Sequence, residues 1–473
     1  MEPQDLALHR DDGAPIYLRL YRRYREAIAE GKLQPGDRVP SVRSLASELN
    51  VARGTVEAAY QMLVSEGYFL ARGAAGTVVS PGLHRLAGPG QTKAPRAIAE
   101  PSRSRVATSA ALPFQLGLPA LDAFPRKTWA RLAGRSLRTL ETVAMTYPDP
   151  AGYEPLRRAI ATYLGISRGI TCTHDQVFVT SGYRGALELV AQTLLQPDDV
   201  GWFEDPGYLH ARQFLERIGV KLTPVPVDAE GLNVAAGMER AAHARFAVVT
   251  PTHQSPLGMA LSLPRRLQLL DWAAQRRAWI IEDDYDSEFR YQGRPLPALK
   301  SLDRHGRVLY TGTFSKVLFP GLRLAYLVVP QAQVARFKDA VTIFPGPGSI
   351  SPQATVASFM EEGHFARHLG KMRTLYAERR SYLVNALERH GADQLQVRPQ
   401  AGGIHVSAQL ASRQDDMALT TAANAKGLAV ESLGRWRMRK ASQGGLLMGY
   451  ANFATEDDAA KAVKRLLRVM KEP

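Results

Sequence analysis

Residues 35–68 read PGDRVPSVRSLASELNVARGTVEAAYQMLVSEGY, and the pattern in this stretch decides the fold of the first part of the chain. The turn signal Pro35-Gly36 precedes Ser41, which stands where an N-cap opens a short helix. Asn50 ends that helix, and Gly67 stops a longer one that follows. Apolar residues recur in both at helical spacing: Val42, Leu45, Ala46 and Leu49, then Val56, Ala59, Tyr60 and Leu63. The stretch therefore predicts two helices joined by a tight turn.

The flanking residues extend this pattern on both sides. Residues 15–30 are predicted to form an earlier helix, which Gly31 ends. The apolar residues of that helix recur every four positions: Ile16, Leu20, Tyr24 and Ile28. After the third helix, Tyr68–Leu70 and Thr77–Ser80 are strand candidates around a glycine-rich turn. Three helices followed by a hairpin are the layout of a winged helix-turn-helix, which we assign to residues 13–80.

The first turn of the third helix is the predicted DNA-reading element, because in this layout it enters the major groove. Arg53 can donate two parallel hydrogen bonds to a guanine edge or a phosphate, and Thr55 suits a phosphate oxygen. Gly54 leaves room for close approach. Arg43, one helix earlier, is placed to reach the flanking backbone, and Gly76 of the hairpin turn completes the set. The same pattern also allows a small protein-interaction module with solvated arginines.

Residues 35–68 resemble the DNA-reading domain of GntR-family bacterial regulators. The family pattern reads P-G-x-x-L-P-S-x-R-x-L-A, then S-R-x-T-V-x-x-A-Y-x-x-L, then E-G. This chain departs from it with Val39 in place of leucine and Ala52 in place of serine. The first change is conservative, and the second removes one hydroxyl that could contact phosphate. The resemblance implies DNA as a partner.

Length and composition limit the number of folding units and the class of protein. The 473 residues suggest about three folding units, and 45% hydrophobic residues indicate a globular protein. No run of 18 apolar residues occurs, and the single cysteine, Cys172, excludes an intrachain disulfide, so a cytoplasmic protein without a membrane partner is expected. The net charge of +15 does not by itself indicate DNA binding, because the first 80 residues hold ten basic and ten acidic side chains. Residues 81–112 are rich in glycine and proline and are predicted to be a flexible linker.

The second part of the chain, residues 113–473, alternates strand-like and helix-like runs. Six short apolar segments are strand candidates: Gln176–Thr180, Val200–Glu204, Lys221–Val225, Phe246–Thr250, Trp279–Asp283 and Val308–Thr311. Segments of helical length separate them, such as Gly185–Leu195 and Leu267–Arg276. This alternation predicts an α/β fold with a mostly parallel sheet, whose ligand lies at the carboxyl ends of the strands.

The turns after these strands hold a distinctive set of polar and aromatic groups. They are Ser181-Gly182-Tyr183-Arg184, Asp205-Pro206-Gly207-Tyr208, Thr250–Pro256, Glu282–Tyr285 and Thr313–Lys316. One cofactor, pyridoxal 5'-phosphate, uses such groups together. It takes a lysine amine, a carboxylate on the pyridine nitrogen, a phenol or amide near the ring oxygen, an aromatic face, and a phosphate cradle with an arginine. Each group alone is common on protein surfaces, but their joint occurrence at strand ends favours this cofactor.

Several segments of the second part resemble the aminotransferase-like half of the MocR/GabR regulators, a subfamily of the GntR type. They include GLPALDAFP, YPDPAGYEPLRRAIATYL, EDPGY, IEDDYDSEFRY, TGTFSKVLFPGLRLAY and EGHFARHLGKMRTLY. With the DNA-reading head, the resemblance covers essentially the whole chain. It implies a fold-type I aminotransferase-like part with a large domain at about 165–340 and a small domain from the remaining N- and C-terminal parts.

The resemblance also implies a role for each matching residue. Lys316 is the lysine that forms the Schiff base with pyridoxal phosphate, and Asp283 is the partner of the pyridine nitrogen. Tyr285 donates a hydrogen bond to the ring oxygen, and Tyr208 stacks on the ring. The phosphate is held by a further group of residues: Gly182, Tyr183, Thr313, Arg323 and, from the neighbouring subunit, Tyr147.

Three positions depart from the family pattern. The loop that usually reads H-Q-[FY]-P-T-G is HQSPLG here, which leaves open whether Ser255 or Gln254 faces the ring oxygen. The usual Gln-Gln after Gly-Tyr is Arg184-Gly185, and this glycine loosens a helix start. Gly370 interrupts a helix where a better helix former is usual.

Two groups of residues have the chemistry of metal ligands, but neither favours a metal site. His364 and His368 share one helical face at zinc-binding spacing, but no glutamate follows the first and no third ligand is evident. The acidic run within Glu282–Glu288 could bind a divalent cation, although the nearby lysine and arginine favour the pyridoxal site. No metal is therefore expected. Cys172 and His405 are expected to be core residues.

The function that these features favour is a pyridoxal-phosphate-dependent transcription regulator that senses an amino compound through aldimine exchange at Lys316. The resemblance implies a homodimer, with which a head-to-tail arrangement is compatible. An effector carboxylate would need an arginine from the late region that holds Arg435, Arg437 and Arg439. Three alternatives stay open: a working aminotransferase tethered to DNA, a sensor of pyridoxal phosphate that controls vitamin B6 supply, and a DNA-binding protein with an inactive second domain.

Overall fold

The computed structural model describes residues 14–83, 111–139, 146–291, 296–343, 346, 348–398, 400–440 and 443–471. The chain divides into two compact units, residues 1–107 and 108–473. Most of the predicted linker, residues 84–110, lies outside the described residues.

The first unit contains three helices and a small sheet. Its elements are α1 (Ile16–Ala29), β1 (Arg38–Val39), α2 (Val42–Glu48), α3 (Arg53–Ser65), β2 (Phe69–Ala71) and β3 (Thr77–Val79). The sheet is antiparallel with the order β1-β3-β2. Ser41 caps α2 as the sequence predicts, since its hydroxyl accepts a 3.1 Å hydrogen bond from the amide of Ser44. The two-residue strand β1 was not predicted, because only its pairing with β3 defines it.

An aromatic cluster holds this unit together. The rings of Tyr24, Tyr60 and Phe69, from α1, α3 and β2, meet edge to face with centroids 5.2 to 5.7 Å apart. The Tyr60 hydroxyl donates a 2.9 Å hydrogen bond to the Pro40 carbonyl, just before α2. The predicted face of α1 is rotated slightly, since Tyr21 and Ala27 are buried together with Leu20 and Tyr24, whereas Ile16 and Ile28 are partly exposed.

The second unit is an α/β structure built on two sheets. Its helices are α4 (Arg126–Arg138), α5 (Glu154–Arg168), α6 (Tyr183–Leu194), α7 (Leu209–Arg217), α8 (Val234–Ala241), α9 (Leu263–Arg276), α10 (Val334–Ile343), α11 (Ile350–Glu361), α12 (His364–Gly391), α13 (Asp416–Ala425), α14 (Leu433–Trp436) and α15 (Glu456–Lys471). None of the helices in the described ranges is long and apolar enough to cross a membrane.

The strands of this unit fall into a large and a small sheet. They are β4 (Val177–Thr180), β5 (Val200–Asp205), β6 (Lys221–Asp228), β7 (Gly231–Leu232), β8 (Phe246–Val249), β9 (Trp279–Asp284), β10 (Val308–Thr313), β11 (Ala325–Val328), β12 (Leu395–Val397), β13 (His405–Leu410), β14 (Glu431–Ser432) and β15 (Gly445–Gly449). The large sheet has the order β4-β11-β10-β9-β8-β5-β6-β7, and the small one β12-β13-β15-β14.

The large sheet is mostly parallel, as the sequence predicts. Strands β10, β9, β8, β5 and β6 pair in parallel, while β11 pairs antiparallel with both β10 and β4, and β7 is an antiparallel edge. The neighbours Ile280 and Ile281 of β9 are fully buried in two different apolar clusters, so helices cover both faces of the sheet. The sequence pattern did not predict β11, which is inserted between β4 and β10. A buried run of four residues also does not show whether a strand pairs in parallel or antiparallel.

The residues directly after the predicted linker contact the small sheet. Phe114 forms a bridge with Gly449 of β15, whose amide donates a 2.8 Å hydrogen bond to the Phe114 carbonyl. A Cβ atom at position 449 would lie 2.1 Å from the carbonyl oxygen of Gln115, so only glycine permits this approach. The amide of Ala429 also donates to the Pro113 carbonyl at 2.8 Å. Residues 113–115 are therefore fixed to the C-terminal part of the unit.

Candidate functional site

The chemically distinctive residues of the second unit converge at one edge of the large sheet. Asp283 lies in β9 and Lys316 follows β10, while Tyr208, Ser255 and Gly182 follow β5, β8 and β4. These are the carboxyl ends of strands that run in the same direction, where open α/β sheets place their ligands. The structure therefore brings together the residues that the sequence singled out.

Lys316 is a partly buried lysine whose amine has a backbone hydrogen-bond acceptor. Its Nζ atom donates a 2.8 Å hydrogen bond to the carbonyl oxygen of Gly117. Burial lowers the pKa of the Lys316 amine, while the charges of Asp286 and Asp283 act in the opposite direction. A lowered pKa enlarges the neutral fraction of the amine, and the neutral form is the nucleophile that an aldehyde requires.

Gly117 was not identified as a site residue from the sequence. It lies 199 residues before Lys316, and no local pattern marks it as a partner. Its φ of +71° favours glycine, and a Cβ atom there would lie 2.5 Å from the Lys316 Nζ. The space that the amine occupies therefore depends on the absence of a side chain at 117.

Asp283 is a buried carboxyl group that faces no described cation at ion-pair distance. Its pKa is raised to about 8, mainly by burial and also by the nearby acids Asp284 and Glu204, while the Tyr183 hydroxyl acts in the opposite direction. A positively charged group placed beside Asp283 would stabilise its ionised form. A protonated pyridine nitrogen is such a group, so the chemistry of Asp283 fits the predicted cofactor.

The residues predicted to hold the phosphate lie at and near the N-terminus of α6. No side chain caps this helix, and its N-cap residue Gly182 has a φ of +86°. The Arg323 guanidinium lies 3.5 Å from where a Cβ atom at 182 would be, and it reaches the Ser181 carbonyl at 3.4 Å. Thr313 accepts a 3.1 Å hydrogen bond from the amide of Ser315 in the same region. A helix N-terminus beside an arginine suits a phosphate monoester.

Tyr208 lies in an aromatic group at the sheet edge. Its ring centroid is 5.9 Å from that of Tyr183 and 5.7 Å from that of Trp436. Burial raises the pKa of Tyr208 to about 12, so its phenol is neutral at physiological pH. Such a flat apolar surface suits the predicted stacking on a pyridine ring.

The structure distinguishes Gln254 from Ser255, which the sequence left open. The Gln254 side chain is buried and donates to Glu204 at 3.1 Å and to the Pro206 carbonyl at 2.9 Å, while its oxygen accepts from the Leu257 amide at 3.0 Å. These bonds turn Gln254 towards the protein interior. The hydroxyl of Ser255 instead lies near Tyr285 and lowers the pKa of that phenol, although burial raises it well above its usual value. Ser255 is thus the residue placed beside the predicted ring-oxygen donor.

Glu204 is a second buried carboxyl group that was not identified from the sequence. It accepts hydrogen bonds from the Thr250 hydroxyl at 2.6 Å and from Gln254, and burial raises its pKa to about 7. The only signal was an acidic residue at the end of an otherwise apolar strand, in EDPGY. Glu204 ties β5 to the loop after β8 and so fixes the segment that carries Ser255.

The arginine-rich segment near Arg435 lies beside the aromatic group. Asp205 accepts hydrogen bonds from the amide of Met438 at 2.8 Å, and Arg212 donates to the carbonyl of Arg437 at 2.7 Å. These contacts hold residues 435–439 against the loop that carries Tyr208. Tyr147, in contrast, is fully exposed and does not belong to the buried cluster.

The predicted DNA-reading residues lie on the first unit. Arg53 is the first residue of α3, and Arg43 lies in α2; both side chains are exposed. Gly54 is exposed too, and a Cβ atom there would meet nothing within 4 Å, so the fold itself does not require glycine. Thr55 follows in the same turn. Gly76 ends the connection between β2 and β3 with a φ of +90°, a conformation that favours glycine.

The two alternative metal sites are dispersed in the fold. His368 is buried, and its Nε2 lies 2.9 Å from the Val317 carbonyl, while the Nε2 of His364 lies 3.3 Å from Arg131. The acids of this run contact different residues: Asp284 forms an ion pair with Arg168 at 2.6 Å, and Asp286 contacts His253 at 3.0 Å. In the part of the chain that is described, no three His, Cys, Asp or Glu residues are grouped to hold a metal ion.

Comparison with known proteins agrees with this geometry. Residues 16–79 match the family "Bacterial regulatory proteins, gntR family", and residues 126–436 match "Aminotransferase class I and II". The chain is 38% identical to the probable rhizopine catabolism regulatory protein MocR of Rhizobium meliloti, over 94% of this chain and 92% of that protein. The chain belongs to the MocR family of GntR-type transcription regulators.

Two further similar proteins are a transcription regulator and an aminotransferase. This MocR-type regulator is 33% identical to the pyridoxine biosynthesis regulator PdxR of Corynebacterium glutamicum, over 94% of each chain. It also resembles the solved structure of LysN, an α-aminoadipate aminotransferase of Thermus thermophilus, with 30% identity and a TM-score of 0.69 over 76% of this chain and 92% of that one. The LysN structure contains N-(5'-phosphopyridoxyl)-L-leucine. The predicted fold class, a winged helix-turn-helix head with an aminotransferase-like part, is therefore confirmed.

Proposed function

We propose that this MocR-type regulator holds pyridoxal 5'-phosphate on Lys316 and senses a small amino compound that competes with the lysine for it. The observation that carries the proposal is the Lys316 amine, which donates a hydrogen bond to the Gly117 carbonyl and is acted on by the charges of Asp286 and Asp283. When bound, pyridoxal phosphate supplies an aldehyde that condenses with one primary amine and can exchange it for another.

The residues of the site have distinct tasks in this proposal. Gly182 and Arg323 bind the phosphate, together with Tyr183 and Thr313, and Tyr208 covers one face of the ring. Asp283 holds a proton on the ring nitrogen, because an adjacent cation stabilises its carboxylate. Tyr285 and Ser255 bind the ring oxygen. Burial at the sheet edge excludes water, which strengthens each of these hydrogen bonds.

Gly117 gives the lysine a second position. A lysine bound to the cofactor cannot also present its ammonium to the Gly117 carbonyl, whereas a released lysine makes this 2.8 Å contact. Gly117 follows residues 113–115, which are bound to the small sheet where the linker ends. Amine exchange would therefore change a contact next to the linker. An effector can shift a regulator only through such a contact, which differs between its two states.

The test measures DNA binding and cofactor absorbance on the same full-length protein. Fluorescence anisotropy with promoter DNA would be recorded without cofactor, with pyridoxal phosphate, and with pyridoxal phosphate plus a panel of amines. We expect some amine to change DNA affinity only when the cofactor is present, and Lys316→Ala to abolish both the visible absorbance band and the amine response. An unchanged band in Lys316→Ala would exclude this lysine.

The same experiment separates the alternatives. A change of DNA affinity with pyridoxal phosphate alone, without an amine effect, would favour a sensor of the cofactor, which is the role suggested by the 33% identity to PdxR. Sustained conversion of an amino donor and a keto acid would favour an aminotransferase tethered to DNA. A colourless protein that still binds DNA would favour an inactive second domain.

We further propose that the protein acts in the cytoplasm as a homodimer, with Tyr147 completing the phosphate cradle of the partner subunit. The support is the full exposure of the Tyr147 ring in the isolated chain. Light scattering of the eluting protein would give the oligomeric state. Tyr147→Phe should weaken pyridoxal phosphate binding in the dimer, and an unchanged cofactor affinity would remove Tyr147 from the site.

A further inference from the structure

His253 forms two short contacts through one ring nitrogen. Its Nδ1 lies 3.0 Å from Oδ1 of Asp286 and 2.9 Å from the hydroxyl oxygen of Tyr285. His253 and Asp286 are buried, with 7% and 1% of their surface exposed. A single ring nitrogen thus joins a carboxylate to the phenol that the proposed function assigns to the cofactor.

The carboxylate decides where the ring proton lies. A carboxylate only accepts hydrogen bonds, so the contact with Asp286 requires a proton on Nδ1 of His253. Without that proton, two lone pairs would face each other at 3.0 Å in a buried site. The requirement is the same for a neutral ring and for a charged one, because Nδ1 carries a hydrogen in either form that suits Asp286.

The phenol must then direct its own proton elsewhere. Nδ1–H is a donor, so the Tyr285 oxygen can only accept from it, and the Tyr285 hydroxyl proton points away from His253. The hydroxyl of Ser255 is also near Tyr285, since it lowers the pKa of that phenol against the larger effect of burial. A hydrogen-bond acceptor of the cofactor placed on the side away from His253 would receive the phenol proton.

The ring of His253 has little freedom to leave this position. A Cβ atom at Gly403 would lie 2.1 Å from its Cε1, so the backbone of Gly403 packs directly on the ring. The Tyr291 hydroxyl donates a 2.6 Å hydrogen bond to the Gly403 carbonyl, and the Tyr450 hydroxyl reaches the same oxygen. This backbone packing holds the ring between β13 and the loop after β9.

The other charged groups around this cluster come from several elements. His405 of β13 has a ring centroid 5.9 Å from that of His253. Burial, and then His253, lowers the pKa of His405 to about 4, so it is neutral at physiological pH and donates its Nε2–H to the Pro256 carbonyl. Lys316, Asp283 and Glu204 also act on these groups through their charges. Asp286 is the acid in direct contact with the ring.

We infer that His253 and Asp286 are positioning residues that orient the Tyr285 hydroxyl as a hydrogen-bond donor towards the ring oxygen of pyridoxal phosphate. The inference rests on the proposed role of Tyr285 in binding that oxygen. Asp286 acts through His253, and His253 acts through Tyr285. A donated hydrogen bond stabilises the ionised form of the ring oxygen and lowers the pH at which the absorbance of the bound cofactor changes.

The test is a pH titration of cofactor absorbance in the full-length protein loaded with pyridoxal phosphate. In Asp286→Asn, the carboxylate that requires a proton on Nδ1 of His253 is removed, so the ring proton can move to Nε2 and Tyr285 can donate to Nδ1 instead. We expect the midpoint of the absorbance titration to rise by about one pH unit, the effect of one lost hydrogen bond, with bound cofactor retained. His253→Leu should shift the midpoint in the same direction.

Two reference variants calibrate the result. Tyr285→Phe should raise the midpoint at least as far as Asp286→Asn does. Ser287→Ala, which removes the neighbouring hydroxyl without touching His253, should titrate like the wild type. A normal midpoint in Asp286→Asn and His253→Leu alongside a shifted one in Tyr285→Phe would overturn the inference and leave the proposed function intact. A normal midpoint in Tyr285→Phe would instead remove Tyr285 from the ring oxygen.

A measurement on the wild type covers the case in which the variants fold poorly. In protein labelled with nitrogen-15 at histidine, long-range proton–nitrogen spectra report which ring nitrogen carries the proton. We expect His253, assigned by the loss of its signals in His253→Gln, to be protonated at Nδ1. Protonation at Nε2 alone would overturn the inference without any variant of Asp286.

Discussion

The amine of Lys316 and the carbonyl oxygen of Gly117 are joined by a 2.8 Å hydrogen bond across 199 residues of sequence. The bond places a lysine, which follows a central strand, against the first turn after the linker. Gly117 is suited to this contact because its φ of +71° and its missing side chain leave space for the amine.

Gly117→Ala should therefore impair capture of the cofactor. The new methyl group would lie 2.5 Å from the Lys316 Nζ and would force the amine or the backbone to move. We expect the affinity for pyridoxal phosphate, measured by absorbance titration, to fall by about tenfold or more, a cost of about 1.4 kcal/mol. DNA binding by the cofactor-free protein should be unchanged. Wild-type cofactor affinity in Gly117→Ala would contradict the contact.

The rate at which Lys316 captures pyridoxal phosphate should depend on pH in a defined way. Burial lowers the pKa of this amine below its usual value of 10.5, and only the neutral amine reacts. The rate should therefore rise with pH and level off below pH 10.5. Stopped-flow absorbance measures it directly. A rate that still increases tenfold per pH unit up to 10.5 would mean that the amine is not desolvated in the free protein.

The stability of the cofactor-free protein should fall between about pH 5 and pH 8. Burial raises the pKa of Glu204 and Glu282 to about 7 and that of Asp283 to about 8. In this range these three acids bind more protons in the folded state than in the unfolded state, so each of them makes unfolding more favourable as the pH rises, whereas His405, with its lowered pKa, acts in the opposite direction. Urea unfolding at several pH values would show it, and Asp283→Asn should reduce the slope. A free energy of unfolding that increases over this range would contradict these shifts.

Gly370→Ala should stabilise the protein. The sequence suggested that Gly370 interrupts a helix, but α12 continues through it from His364 to Gly391, and a Cβ atom at 370 would meet nothing within 4 Å. We expect a gain of about 0.5–1 kcal/mol in the free energy of unfolding. Gly363→Ala is the matched control, because Gly363 has a φ of +72° and the substitution there should destabilise. Equal effects at the two positions would contradict this account.

DNA recognition can be divided between base and backbone contacts. If Arg53 contacts a base, Arg53→Ala should cost about 1–3 kcal/mol of specific binding, whereas Arg43→Ala should weaken all sequences alike and reduce the salt dependence by about one ion. Gln61→Ala, at an exposed position further along α3, serves as the control. Anisotropy titrations at several salt concentrations measure these effects. Unchanged affinity in Arg53→Ala would remove this residue from the reading set.

The fold could be predicted well where local patterns decide it. The helical spacing around Leu45 and Val56 and the short apolar strands such as Phe246–Val249 have signals within ten residues, and the structure contains those elements. Strands β1 and β11 were missed, because their pairing partners, rather than their own residues, define them. A two-residue strand has no periodicity from which to predict it.

The site could be predicted only in part. Lys316 and Tyr285 follow parallel strands of the sheet and Asp283 lies near the end of one, so their convergence follows from topology. Gly117 and His253 could not be found in the same way. The first acts through a backbone carbonyl, which any residue possesses, and the second through which of its nitrogens carries a proton, which only its neighbour Asp286 reveals.

The pairing of Phe114 with Gly449 anchors the chain directly after the predicted linker, residues 81–112. Because the Phe114 carbonyl accepts from Gly449 of β15 and the Pro113 carbonyl accepts from Ala429, these two residues are held to the small sheet and the segment beside it. Any displacement of the small sheet would therefore be transmitted to Pro113, the first residue after the predicted linker.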